Sequence, residues 1–139
     1  MTADQPDSAS HPRGRILIAD HEQGTTIPLK FLLEQSGYTV LTASSGETAL
    51  QLIVDDSPDL VLLEAMISNP DGFEICQTVR ETPQLAGTRI LFVSAMARDV
   101  DIAKGMAAGA DGYITKPFSN SDIMDHVRKL LEIANGSDE

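Results

Sequence analysis

Five short apolar runs, three of them closed by a charged residue, constrain this chain more than any other feature. They are "RILIAD" (15–20), "YTVLTA" (38–43), "DLVLLE" (59–64), "RILFVSA" (89–95) and "GYITK" (112–116). Runs of this length bounded by turn residues read as strands, and the longer stretches between them, with apolar residues three and four apart, read as helices. A helix over Thr25–Ser36 places Leu29, Leu32 and Leu33 on one face. Pro28 is expected in its first turn, where the missing N–H costs little, and Gly37 ends it. Ser45 can cap a helix through "GETALQLIVDD". "GFEICQTVRE" spaces Phe73, Cys76 and Val79 for one buried face. "DVDIAKGMAAG" is a weak helix of small residues. Ser119 and Asp122 have capping-box spacing ahead of a last helix that buries Ile123, Val127, Leu130 and Leu131.

Five strands alternating with five helices imply an α/β, doubly wound parallel sheet with right-handed crossovers and helices on both faces. In such sheets, functional groups gather at the carboxyl ends of the strands. The residues closing the runs are therefore the candidates: Asp20 and His21, Glu64, Ser94 and Lys116. Taken singly, each has a plain explanation, since a serine at a strand end is a turn former and a lysine before proline is a solvated charge. Taken together, a lysine facing two carboxylates across one rim is a site.

Charge narrows the partners. The 139 residues carry 10 basic and 21 acidic side chains, net −11, which opposes direct binding to nucleic acid or to an anionic membrane surface. With 42% hydrophobic residues, the chain has the material for one core. Its one cysteine, Cys76, precludes an internal disulfide or a cysteine metal cage and suits a small buried hydrophobe. No apolar run approaches the ~18 residues that span a bilayer, and "MTADQPDSASHPRG" lacks the apolar segment of a signal peptide. The expected location is the cytoplasm.

The motifs "ILIADHE", "PDLVLLEAM…PDGFEIC", "FVSA" and "AAGADGYITKPF", in this order, resemble the receiver domain of two-component response regulators. The resemblance covers about Arg15 to Leu131. It implies a flavodoxin-like sheet of order 2-1-3-4-5. It implies the domain limits 14–133, with a flexible tail at 1–13 and a short one at 134–139. No output domain follows residue 133, so a stand-alone or an excised receiver is expected. The resemblance also implies roles: Asp20 as the first of two acids that hold Mg²⁺, Ser94 and Lys116 as phosphoryl-binding groups, Tyr113 as the aromatic switch, and the Met66 carbonyl as a backbone metal ligand. It implies a histidine kinase or a downstream signalling protein as partner, engaged through the fourth helix, fifth strand and fifth helix, with a homodimer as an option. Lys104 and Arg128 lie on that face.

Two positions depart from the family. His21 stands where a second acid is expected, and Glu64 where an aspartate accepts phosphoryl. Mg²⁺ prefers oxygen ligands at about 2.0–2.1 Å, so Asp20, His21, Glu64 and Met66 form a degraded Mg²⁺ site. A glutamate is one methylene longer than an aspartate, and a misplacement of about 1 Å can cost on the order of a hundredfold in rate. Both departures are expected to disable phosphoryl transfer, so no catalytic residue is assigned and the chain is not expected to be an enzyme. The Glu64 carboxylate either imitates a phosphoryl group in part or neutralises Lys116 and locks a resting state. A transition metal held by Asp20, His21 and Glu64 is the weaker option. Three readings stay open: a receiver that signals by contact without phosphorylation, a phosphoacceptor receiver that tolerates Glu64, and a flavodoxin-like binder of a small ligand. Against the last, no glycine-rich phosphate loop is present.

Overall fold

A computed structural model describes residues 14–134. The described elements alternate as the periodicity predicts: β1 (Arg15–Ala19), α1 (Gln23–Gln35), β2 (Thr39–Ala43), α2 (Gly46–Asp56), β3 (Leu60–Leu63), α3 (Gly72–Arg80), β4 (Arg89–Ser94), α4 (Asp99–Ala107), β5 (Gly112–Thr115) and α5 (Asn120–Ala134). A 3-10 turn at Pro83–Leu85 joins α3 to β4 and was not expected. The tails at 1–13 and 135–139 lie outside the described residues.

All four strand pairings are parallel, in the order β2-β1-β3-β4-β5. Side chains along a strand alternate between faces, and that alternation sorts the core into two layers. Leu17, Val61, Leu63, Ile90 and Phe92 pack with Ala49, Ile53, Ile75, Cys76 and Val79, under α2 and α3. Ile16, Ile18, Leu60, Leu62, Leu91 and Val93 pack with Leu29, Leu33, Ile123, Val127 and Leu131, under α1 and α5. All of β3 is buried, which explains its unbroken apolar run: a central strand of a doubly wound sheet has no solvent face. Truncating one such residue, for example Leu62→Ala, costs about 2–5 kcal/mol. No helix among the described residues is long and apolar enough to cross a membrane.

The caps follow the sequence signals. Ser45 Oγ accepts from the Thr48 amide at 3.2 Å, and Ser119 Oγ from the Asp122 amide at 3.0 Å. Asp71 and Glu74 close a capping box on α3, at 2.9 and 3.1 Å. Gly72 opens that helix against the end of β3. A Cβ there would lie 2.7 Å from the Glu64 carbonyl, so a side chain would push α3 away from the loop that follows the carboxylate.

Pro28 departs from expectation. The Glu22 carbonyl accepts from both Thr25 and Thr26 amides, at 3.1 and 3.0 Å, so α1 starts at Gln23 and Pro28 falls inside it. Its ring leaves the Gly24 carbonyl without the usual amide partner.

Candidate functional site

The residues that close the strands are held by the sheet itself. One step beyond the strand ends, the Asp20 amide donates to the Ala43 carbonyl, the Glu64 amide to Ala19 and the Lys116 amide to Ser94, each at 2.9 Å. The ladder thus fixes three backbones on one rim before any side chain is considered. Asp20 and Glu64 are each 3% exposed and Ser94 is fully buried. A buried carboxylate needs partners, because desolvation without them is costly.

Lys116 supplies them. Its Nζ donates to Asp20 Oδ2 at 2.9 Å, to Glu64 Oε1 at 2.9 Å and to Glu22 Oε1 at 2.7 Å. The other Asp20 oxygen accepts from the Glu22 amide at 2.9 Å. The other Glu64 oxygen accepts from the Ser94 hydroxyl and, at 3.1 Å, from the Met66 amide. Burial by itself would lower the pKa of Lys116. Its hydrogen bonds to Glu22, Glu64 and Asp20 outweigh that and hold it above its ordinary value. Glu22 is held below the usual glutamate range, first by the hydrogen bond from Lys116 and then by its charge.

Asp20, Glu64, Ser94 and Lys116 are therefore brought together. His21 is not. Its side chain is half exposed and its Nδ1 lies 4.0 Å from Asp20 Oδ1, outside the carboxylate group. The carboxylate that joins the cluster is that of Glu22, which the sequence reading gave no role. Glu22 is drawn in by Lys116, whose Nζ donates to its Oε1, after the chain turns back at His21 with the Glu22 amide donating to Asp20 Oδ1. As a result, Asp20, Glu22 and Glu64 offer oxygens within 4.8 Å of one another, and no imidazole takes part. Among the described residues, the grouping that could hold a metal is Asp20, Glu22 and Glu64 and does not include His21. Three carboxylates are a donor set that suits a hard cation such as Mg²⁺, but the point where they meet is taken by the Lys116 ammonium.

Tyr113 is partly buried. Its ring lies 5.5 Å from Phe92, and its hydroxyl donates to the Met96 carbonyl at 2.6 Å. Lys104 stands 4.4 Å over the Phe73 ring, and Arg128 pairs with Asp125 one turn earlier on α5.

A family model for the response regulator receiver domain matches residues 16–128. The chain is 39% identical over 128 residues to the alkaline phosphatase synthesis transcriptional regulatory protein PhoP of Bacillus subtilis, covering 90% of this chain and 52% of that protein. It is 34% identical over 125 residues to the transcriptional regulatory protein CpxR of Escherichia coli, with the same coverage of each. It thus spans about half the length of these curated relatives. Among solved structures, a response regulator from Chloroflexus aurantiacus superposes with a TM-score of 0.81 at 31% identity, covering 85% of this chain and 97% of the other. The BeF3-activated DrrB receiver domain does so with a TM-score of 0.76 at 30% identity, with the same coverage.

Proposed function

Because the chain belongs to the response regulator receiver domain family, we propose that it is a receiver module of two-component signalling that works by protein–protein contact without taking up phosphoryl. One observation carries this reading. The Glu64 carboxylate already accepts from the Ser94 hydroxyl and the Lys116 ammonium, the two groups that the family resemblance assigns to a phosphoryl group. Its extra methylene delivers the charge to those donors, so the positions an incoming phosphoryl needs are filled. The charge is −1, against about −1.5 to −2 for a phosphate, which makes Glu64 a partial substitute. The module then carries a conformation to a partner and is not an enzyme.

The contact face is α4, β5 and α5. Val100 and Met106 on α4 are 61% and 45% exposed, which gives that face an apolar component, and Lys104 and Arg128 add charge. Reversing the charge at either should weaken a kinase or downstream partner without unfolding the domain. A partner indifferent to both variants engages another surface.

A second reading, phosphoryl uptake on Glu64, draws on the presence of Asp20, Ser94 and Lys116 in one pocket. Mass spectrometry after incubation with acetyl phosphate and Mg²⁺ separates the two. No covalent gain is expected for the unaltered chain. Ready labelling at Glu64 replaces the first reading with the second. A small-ligand binder gains no support from the rim, whose charged groups are paired with one another.

A further inference from the structure

A helical threonine ordinarily returns its hydroxyl to the carbonyl four residues back. Thr26 does not. The Glu22 carbonyl already accepts from the Thr25 and Thr26 amides, at 3.1 and 3.0 Å, and a carbonyl oxygen has two lone pairs. Thr26 is 6% exposed, and its Oγ1 is buried without a hydrogen-bond partner among the described residues. The same residue lines a cavity of about 180 Å³, together with Asp20, Gln23, Thr42, Ser44 and Thr48. The cavity lies on the β2 side of Asp20, away from Glu64. We propose that it is a binding site for a small uncharged polyol, held by the hydroxyls of Thr26 and Thr42 and the amide of Gln23, with Asp20 joining the ligand to the acid pocket.

The lining selects the ligand. Hydroxyl and amide side chains both donate and accept, and a carboxylate only accepts. The occupant must therefore offer donors and acceptors side by side, as adjacent hydroxyl groups do. Among the described residues, none that lines the cavity is basic, so an anion would meet Asp20 with nothing to balance its charge. Nor does a cation fit. Asp20 already accepts from the Lys116 ammonium and the Glu22 amide, both at 2.9 Å, and a second cation beside that ammonium is repelled. Gln23, Thr42, Ser44 and Thr48 are exposed, which leaves the cavity open to entry, while the buried Thr26 and Ala43 close it from within. An enclosed cavity of about 150 Å³ admits benzene, so about 180 Å³ suits a molecule between glycerol and a pentose in size. Threonine in a helix has two side-chain rotamers open to it, so the Thr26 hydroxyl can turn to a ligand without backbone movement. The inference goes beyond the reading of Glu64 as a phosphoryl substitute. It gives the module an input that involves neither Glu64 nor a phosphodonor, and its failure would leave that reading untouched.

The test titrates glycerol, erythritol and xylose into the unaltered protein and follows amide chemical shifts, with acetate and methylammonium as charged controls. Saturable shifts are expected for a polyol at residues 20, 22–26 and 42–48, and none for the controls. The Glu22 amide, which donates to Asp20 Oδ1, should be among the signals that move. Thr26→Val removes the hydroxyl and keeps the shape. It should melt no lower than the unaltered protein, because an unpartnered hydroxyl has no bond to lose, and it should weaken polyol binding at least about fivefold. Thr42→Val, at a strand position that suits valine, should weaken binding as well. Shifts that fail to saturate for all three polyols overturn the proposal, as do equal affinities for the unaltered protein and Thr26→Val. A lower melting temperature for Thr26→Val also overturns it, since the hydroxyl would then already serve the fold. Saturation by acetate or methylammonium in place of the polyols overturns the ligand class, and an unmoved Glu22 amide at saturation overturns the link through Asp20.

Discussion

The Tyr113 hydroxyl donates to the Met96 carbonyl at 2.6 Å, and this bond is the far end of a chain that begins in the acid pocket. The Met96 amide donates to Ser94 Oγ at 3.1 Å, and the Ser94 hydroxyl donates to Glu64. Three hydrogen bonds and one residue of backbone thus connect a carboxylate at the end of β3 to an aromatic on β5. Whatever moves Ser94 moves the acceptor of Tyr113.

Ser94→Ala should break that chain in the middle. Ser94 is fully buried, so the substitution leaves the Met96 amide unpaired and strips one donor from Glu64. Orphaned buried groups cost about 1–3 kcal/mol. Urea unfolding should show a loss of that size, and the Tyr113 ring signals should shift. A loss with unmoved Tyr113 signals would mean that the chain conveys stability but no conformation.

Gly105→Ala tests the room that Tyr113 occupies. In an isolated helix, alanine would gain about 1 kcal/mol over glycine. Here its Cβ would stand 3.0 Å from both the Phe92 and Tyr113 rings. Phe92 is fully buried and has nowhere to go, so the only partly buried Tyr113 should yield and lose its bond to Met96. Ring NMR signals of Tyr113 should move toward a solvated environment. Tyr113→Phe should cost about 0.5–1.5 kcal/mol for the same bond while leaving the ring in place.

Glu64→Asp should restore labelling by acetyl phosphate in Mg²⁺, because the shorter carboxylate withdraws from Ser94 and Lys116. On sequence grounds His21 counted as a second defect of equal weight. The placement of Glu22 changes that. His21→Asp should add little to Glu64→Asp, whereas Glu22→Gln should remove most of the recovered labelling. Covalent mass gain for the single and double variants decides the matter. Strong recovery only with His21→Asp would show that Glu22 does not serve as the second acid.

The pocket should leave a signature in the pH dependence of stability. The folded pKa of Glu22 is depressed below its ordinary 4.5, so its contribution is present above that value and fades as pH falls through the folded one. The folded pKa of Lys116 is raised above its ordinary 10.5, so its contribution is present below that value and fades only as pH rises through the folded one. The unaltered protein and Glu22→Gln should therefore differ most between these limits and converge on both sides. A difference independent of pH would place the effect of Glu22 outside its charge.

Cys76 should be inert until the domain unfolds. It is fully buried, its Sγ lies 3.4 Å from the Ala108 carbonyl, and burial pushes its thiol up to about 11. Alkylation requires the thiolate, so its rate at neutral pH should follow global opening. Fast labelling of the native protein would reveal local opening of α3.

The strands and the rim were legible because they rest on local patterns. A central strand must be apolar on both faces, so "DLVLLE" marked both β3 and the carboxylate at its end, and the same logic marked Asp20, Ser94 and Lys116. The start of α1 was not legible. It depends on the Glu22 carbonyl accepting two amides at once, which overrode the preference of Pro28 for a first turn. Nor could the order of residues say which of two neighbours, His21 or Glu22, faces the pocket. That choice is made by Lys116, 94 positions further on, and it reaches Glu22 only because the sheet order sets β1 beside β3 and β3 beside β4, with β5 following. Local propensity determined the elements and the chemistry at their ends. The pairing of one ammonium with three carboxylates came from tertiary structure alone, because buried charge is tolerated only where the fold brings its partners within reach.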